Sequence, residues 1–97
     1  MDLKLLVVMT ADIYEEEVRD AFREGVGGYL EMPHLFGEMG SHRRLGTTDA
    51  PGEARLFFNI NQRENLQPVI DRLEQFAARC GEEPCLKMMV LSVDEIF

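Results

Sequence analysis

Lys87 is the residue whose surroundings most invite chemistry. It opens an apolar run and follows a turn-like CGEEPC segment that contains Gly81 and Pro84. An ammonium at the start of a strand suits phosphate, as a point charge with rotatable donors; the plain alternative is a solvated strand-end lysine. Gly81 also has two readings, exposing backbone N–H groups to an anion or simply ending a helix. Arg43 and Arg44 are the only adjacent cations in the chain, and glycines stand near them on both sides. Guanidinium forks there could fold over a phosphate or carboxylate, or merely keep a loop soluble. Gly27 and Gly28 permit close backbone approach to a ligand, or a helix-to-strand turn.

His34 and His42 lie eight positions apart, near Glu31, Glu38, Met32 and Met39. Imidazole and carboxylate ligate transition metals. The spacing offers no tight ligand pair, so one chain supplies no closed site and only several chains around an axis would. Two exposed loop histidines are the alternative. Cys80 and Cys85 form C-x4-C. A bridge needs Cα atoms within about 7 Å, and a reducing cytosol favours two separate thiols. The six methionines read as core filler, and Glu15, Glu16 and Glu17 as a helix-start feature. Glu31 would serve as a general base only if buried in a cleft. No Ser-His-Asp arrangement or Walker loop is present in the sequence, so an enzyme is not expected.

The chain that must position these groups has 97 residues, 45% hydrophobic and 29% charged, which suits a single folded domain over 1–97. Ten Lys and Arg against 18 Asp and Glu give a net charge of −8. Nucleic acid and anionic membrane surfaces, which need clustered cations, are therefore poor partners. The longest apolar run, Leu5 to Met9, is far short of the ~20 residues that span a bilayer. With no signal peptide at the start, the expected location is the cytoplasm.

Leu3 to Met9 reads as a buried strand. Asp12 and Glu15 resemble a capping box, from which Tyr14, Val18, Ala21 and Phe22 follow helical spacing to a stop at Gly25. Tyr29 to Met32 is a second strand, limited or placed at an edge by Pro33. Residues 34 to 53 hold five Gly or Pro and no apolar period. The long loop 36–53 is thus expected to be mobile and functional. Ala54 to Ile60 is a third strand, with Phe57 facing away from Leu56, Phe58 and Ile60. A second helix starts near Asn65, so that Pro68 falls in its first turn. Leu86 to Val93 is the fourth strand, apolar on both sides. The order βαββαβ predicts an α+β, ferredoxin-like domain: a four-stranded antiparallel sheet with two helices on one face. Apolar residues on both sides of the sheet predict that its other face is buried by further copies.

In this order the elements, GVGGYLE before the second strand, the loop FGEMGSHRRLGTTDAPGE and the closing CGEEPCLKMMVLSV resemble the PII-like superfamily of trimeric signalling proteins. The resemblance covers nearly the whole chain. That family has a strand-two Glu after an aromatic or Thr position, a mobile loop opened by an F-G pair, and a short Gly-bearing loop ending in Lys. Glu31, Phe36-Gly37, Gly81 and Lys87 stand comparably here. The departures are Glu38 in place of a basic residue, Pro84-Cys85-Leu86 in place of Gly-Asp-Gly, and no loop tyrosine for covalent modification. The chain also stops at Phe97, where nitrogen-regulatory members continue into a loop with phosphate-binding arginines. It is similar to the short carboxysome- or transporter-associated members.

The resemblance implies a homotrimer with effector sites in its intersubunit clefts. Gly27, Gly28, Phe36, Gly37, Arg43, Arg44, Gly81 and Lys87 are the candidate ligand residues. The implied effectors are ADP, AMP or ATP, with bicarbonate or another small anion, and no obligatory cofactor. The long loop would report occupancy to a transporter or enzyme partner. A C-x4-C spacing occurs in a redox-sensitive pair of some transporter-associated members, at their C-terminal extension, so the resemblance adds a regulatory disulfide as a reading of Cys80 and Cys85. A second function, resembling the divalent-cation tolerance proteins, would use His34 and His42 as metal ligands. A third, a small lyase or isomerase of ferredoxin-like dimer type, lacks an acid–base pair, and fold alone decides nothing between them.

Overall fold

The computed structural model describes residues 2–35, 54–80 and 85–97. Within them the chain forms β1 (Leu3–Ala11), a 3-10 turn (Asp12–Tyr14), α1 (Glu15–Val26), β2 (Leu30–Leu35), β3 (Ala54–Gln62), α2 (Arg63–Arg79) and β4 (Leu86–Ser92). The strands lie in the order β2-β3-β1-β4, with every neighbouring pair antiparallel. This is the expected ferredoxin-like arrangement. The loop expected over 36–53, with Phe36, Gly37, His42, Arg43 and Arg44, lies outside the described residues, as does Gly81.

Alternation along β1 sets the layers. Leu6, Val8 and Thr10 are buried, and Val8 stands opposite Phe57 and Met88. Val18, Ala21 and Phe22 of α1 pack onto this face, joined by Leu66, Val69, Leu73 and Phe76 of α2. The rings of Phe22 and Phe57 stack at 6.2 Å, and Tyr29 meets Phe57 edge-on at 5.5 Å. The other face carries Leu5, Val7 and Met9, paired with Ile60, Phe58 and Leu56 on one side and with Leu91, Met89 and Lys87 on the other. No described element covers it. Leu30 is 63% exposed, Met32 50%, and Met89 and Leu91 44% each. The expectation of a sheet apolar on both faces holds.

Element boundaries differ from expectation for local reasons. Asp12 does not cap a helix: the 3-10 turn has no side-chain cap, and the Asp12 carboxylate binds Arg55 instead. Gly25 does not stop α1. The helix runs on to Val26, and Gly27, at φ +80°, ends it by donating its N–H to the carbonyls of Phe22 and Arg23 at 3.0 and 3.1 Å. A left-handed residue of this kind favours glycine. α2 starts at Arg63, before the expected Asn65, and continues through Pro68. Proline removes the donor that would reach the Glu64 carbonyl; Glu64 and Pro68 are both exposed, so water can replace it. Pro33 does sit in an edge strand, as expected. β2 nevertheless passes it with a register shift between Met32 and Leu35, where His34 adopts φ +62°.

Gly25 owes its identity to packing. A Cβ there would lie 2.4 Å from Val69 Cγ2 and 3.4 Å from the Val69 backbone nitrogen. Valine is stiff at χ1 in a helix and cannot turn away. Gly→Ala in a helix interior normally stabilises by about 1 kcal/mol. Gly25→Ala is expected to reverse that sign and destabilise by about 1–3 kcal/mol, as overpacking does. Urea denaturation checks this: an unchanged or raised midpoint would show that the two helices can move apart freely.

Candidate functional site

The sheet end at Ala11 gathers the chain's main chemistry. In register, Ala11 faces Ala54, which faces Leu35, and Thr10 faces Leu86. The residues bordering 36–53 and 81–84 therefore leave the sheet at the same end. Just below them on the helix side lies an ion network. Arg55 is the first charged residue of β3 and shares the core-facing side with Phe57. Its Nε faces Asp12 and, at 2.7 Å, Glu15; its Nη1 donates to Glu31. Arg19 donates to both Glu31 oxygens at 3.1 and 3.2 Å and to Glu16 at 2.6 Å. The Arg19 guanidinium also sits 5.7 Å from the centre of the Phe57 ring.

These groups are only 14–18% exposed at Arg19, Arg55 and Glu31, so their charges depend on one another. Burial by itself would raise the Glu31 carboxyl, but hydrogen bonds from Arg55 and Arg19 outweigh it and hold Glu31 below its ordinary value. The Asp12 hydrogen bond is the largest influence on Arg55 and holds its guanidinium above its usual value, against desolvation. Desolvation is the largest influence on Arg19 and would lower it, yet Glu31 carries it well above. A carboxylate clamped by two guanidinium groups is a poor proton acceptor. Glu31 thus acts as a brace joining β2 and β3 to the start of α1. Glu15 and Glu16 also do more than the helix-start role expected of them, since both engage Arg19.

A second feature lies at the outer side of β3. An open groove of about 400 Å³ is lined by Val26, Gly27, Gly28, Tyr29, Leu30, Phe58, Asn59 and Ile60. The Asn59 amide donates to the Gly28 carbonyl at 3.1 Å. Gly27 is required by its positive φ, whereas a Cβ on Gly28 would meet nothing within 4 Å. Lys87 is on the opposite edge strand, facing Met9 on the open side of the sheet. Four strands at ~4.8 Å spacing put these two edges about 14 Å apart. One chain therefore does not bring Gly27 and Gly28 to Lys87.

His34 is exposed on the irregular stretch of β2. Among the described residues no group of three or more His, Cys, Asp or Glu could hold a metal ion. Cys80 and Cys85 are joined, with Cα atoms 6.5 Å apart, in place of the two separate thiols expected. The end of α2 and the start of β4 are simply close enough for a bridge. The network around Arg55 and the buried Thr10 escaped the sequence reading. The available signal was parity: a charge two positions before core-facing Phe57 must itself point toward the core and needs partners.

The Glu31 contribution has a definite sign with pH. A depressed folded value means stability that is complete above the ordinary value of 4.5 and is lost as pH falls through the depressed one. Glu31→Gln is expected to flatten the acid limb of stability below about pH 4.5 and to cost about 2 kcal/mol at pH 7, because two half-buried guanidinium groups lose their shared anion. Thermal melts from pH 7 to pH 3 check it. An unchanged acid limb would place the acid-sensitive group elsewhere.

No family model matches the chain, and no curated protein matches it. Solved structures do. CPII of Thiomonas intermedia K12, bound to ADP, AMP and acetate, superposes with a TM-score of 0.72 at 20% identity, covering 95% of this chain and 86% of that one. CPII bound to ADP, AMP and bicarbonate gives 0.67 at 24% identity, covering 96% and 93%. A Thermus thermophilus protein classed as PII-like signalling gives 0.59 at 21%, covering 96% and 90%. The chain has the fold of the PII-like proteins.

Proposed function

We propose that this chain is a PII-like regulator, not an enzyme, that binds an adenine nucleotide, alone or with bicarbonate or another small anion, in clefts between three copies. The observation that carries the reading is the uncovered apolar sheet face, with Leu30, Met32, Ile60, Met89 and Leu91 exposed, in a fold shared with CPII. Monomers rarely leave so contiguous an apolar surface in water. Three copies closing around it would dry it. They would also set the Gly27-Gly28 groove of one edge against the Lys87 edge of a neighbour, which one chain alone cannot do. CPII is bound to ADP, AMP and bicarbonate in its own structures, which guides the choice of ligand.

Lys87 would meet phosphate as a point charge, and Phe36, Gly37, Arg43, Arg44 and Gly81 would complete the site from 36–53 and 81–84. A ligand that contacts residues 36–53 in only one of their states must favour that state, and a transporter or enzyme partner would read the shift. The clamped Glu31 supports a binding role over acid–base chemistry. Among the described residues no helix is long and apolar enough to cross a membrane, and the reading places the protein in the cytoplasm.

Light scattering is expected to return three times the mass of one chain, and Leu91→Lys to break the assembly. Calorimetry with ATP, ADP and AMP, with and without bicarbonate, is expected to give heat for at least one nucleotide. Lys87→Ala should weaken it about tenfold, the scale of one charge-assisted contact. A folded monomer, or no heat at millimolar nucleotide, would overturn the proposal.

A further inference from the structure

We infer that residues 93–97, which leave β4 with Ile96 and Phe97 exposed, dock as an extended strand into the Gly28 groove of a second copy, and that an effector must displace them to bind there. This docking rests on the effector reading, which it deepens: the segment fills the cleft before a ligand does. The groove suits a peptide. β2 pairs with β3 no further than Leu30 opposite Phe58, so Asn59 to Gln62 pair only on their β1 side among the described residues. Alternate residues of such a strand aim their N–H and C=O groups at the open edge. Beside that edge the Asn59 side-chain oxygen is buried and accepts no hydrogen bond, while its amide nitrogen donates to the Gly28 carbonyl. A buried acceptor calls for a donor. The walls around it, Val26, Leu30, Phe58 and Ile60, are apolar. An added strand supplies N–H donors together with apolar side chains, which a purely apolar occupant does not.

The segment has the matching features. β4 stops at Ser92, and the Val93 N–H donates to the Leu3 carbonyl at 3.1 Å. From Asp94 on, no strand pairs with it among the described residues; Ile96 is 58% exposed and Phe97 fully so. Ser92 faces Lys4 and Leu3 faces Gln62, so the segment leaves the sheet at the same end as the open β3 edge. It does so from the opposite edge, in the order β2-β3-β1-β4. Four residues extend about 13 Å, while the two edges lie about 14 Å apart, and the path would have to round β1 and β3. A copy therefore cannot fill its own groove. Copies can meet head to tail instead, each giving one segment and receiving another, and contacts of that kind close into rings.

The groove holds about 400 Å³, near the lower end of the ~300–1,000 Å³ of ligand clefts. That is room for the side chains of Ile96 and Phe97 or for a nucleotide base, not for both. The segment is thus a plug at the seam between copies. A ligand that takes the groove releases residues 93–97, and its measured affinity is reduced by the fraction of grooves already filled.

A photoreactive benzoylphenylalanine placed at Phe97 of the full-length chain tests this by cross-linking. Irradiation should give covalent products at multiples of the single-chain mass, with the label mapped by mass spectrometry to residues 26–30 or 58–60. A label that stays within its own chain, or reaches another copy elsewhere, overturns the docking. Gly28→Leu fills the groove without a clash at its Cβ, which would have nothing within 4 Å. It should abolish the product, and an undiminished yield overturns the site. Excess ADP should suppress the product; an unchanged yield in protein that gives heat with ADP overturns the displacement. A trimer whose label maps elsewhere overturns the docking alone, whereas a monomer with no intermolecular product overturns it together with the three-copy reading. Absence of ADP heat counts against the effector reading, while the cross-link still decides the docking.

Discussion

A four-stranded antiparallel sheet has two faces, and two helices of 12 and 17 residues lie over one of them. This chain places apolar side chains on both. The helix-side face is closed by Phe22, Phe57, Leu66 and Leu73, all inaccessible to water. The opposite face has the same hydrophobic make-up and no cover among the described residues. Burial of apolar surface is non-directional and scales with area, so whatever covers that face gains from its whole width. The idea of an assembly follows from this imbalance.

The second constraint is electrostatic. Near the residues that border 36–53, Arg55 and Arg19 share Glu31 with Asp12, Glu15 and Glu16 around it. Isolated charges this far from water would be costly; held together they satisfy one another and tie three elements at one point. The network sits on the helix side while Lys87 faces the open side. The sheet thus carries Arg19 and Arg55, each held by carboxylates, on one face and Lys87 on the other.

Cysteine placement shows how far spacing carries and where it stops. C-x4-C is compatible with a bridge and with two separate thiols alike. The choice depends on how closely the end of α2 approaches the start of β4, which is set by the packing of Phe76 and Leu86 into one core. Gly25 makes the same point: its position near a helix end reads as a stop signal, yet Gly27 supplies the stop and Gly25 supplies room for Val69.

Element order, the edge position of the Pro33 strand, the helical faces and the two-sided apolar sheet were legible in the residues themselves, because periods of 2 and 3.6 are local properties of the backbone. Asp12 could not be read correctly alone. A carboxylate before a helix satisfies backbone donors unless a guanidinium arrives, and Arg55 arrives from 43 residues away only when β3 pairs with β1. The tertiary structure alone decided those pairings, the separation of Gly27 and Gly28 from Lys87 across the sheet, and the meeting of Cys80 with Cys85, since each is a distance between segments that no local pattern encodes.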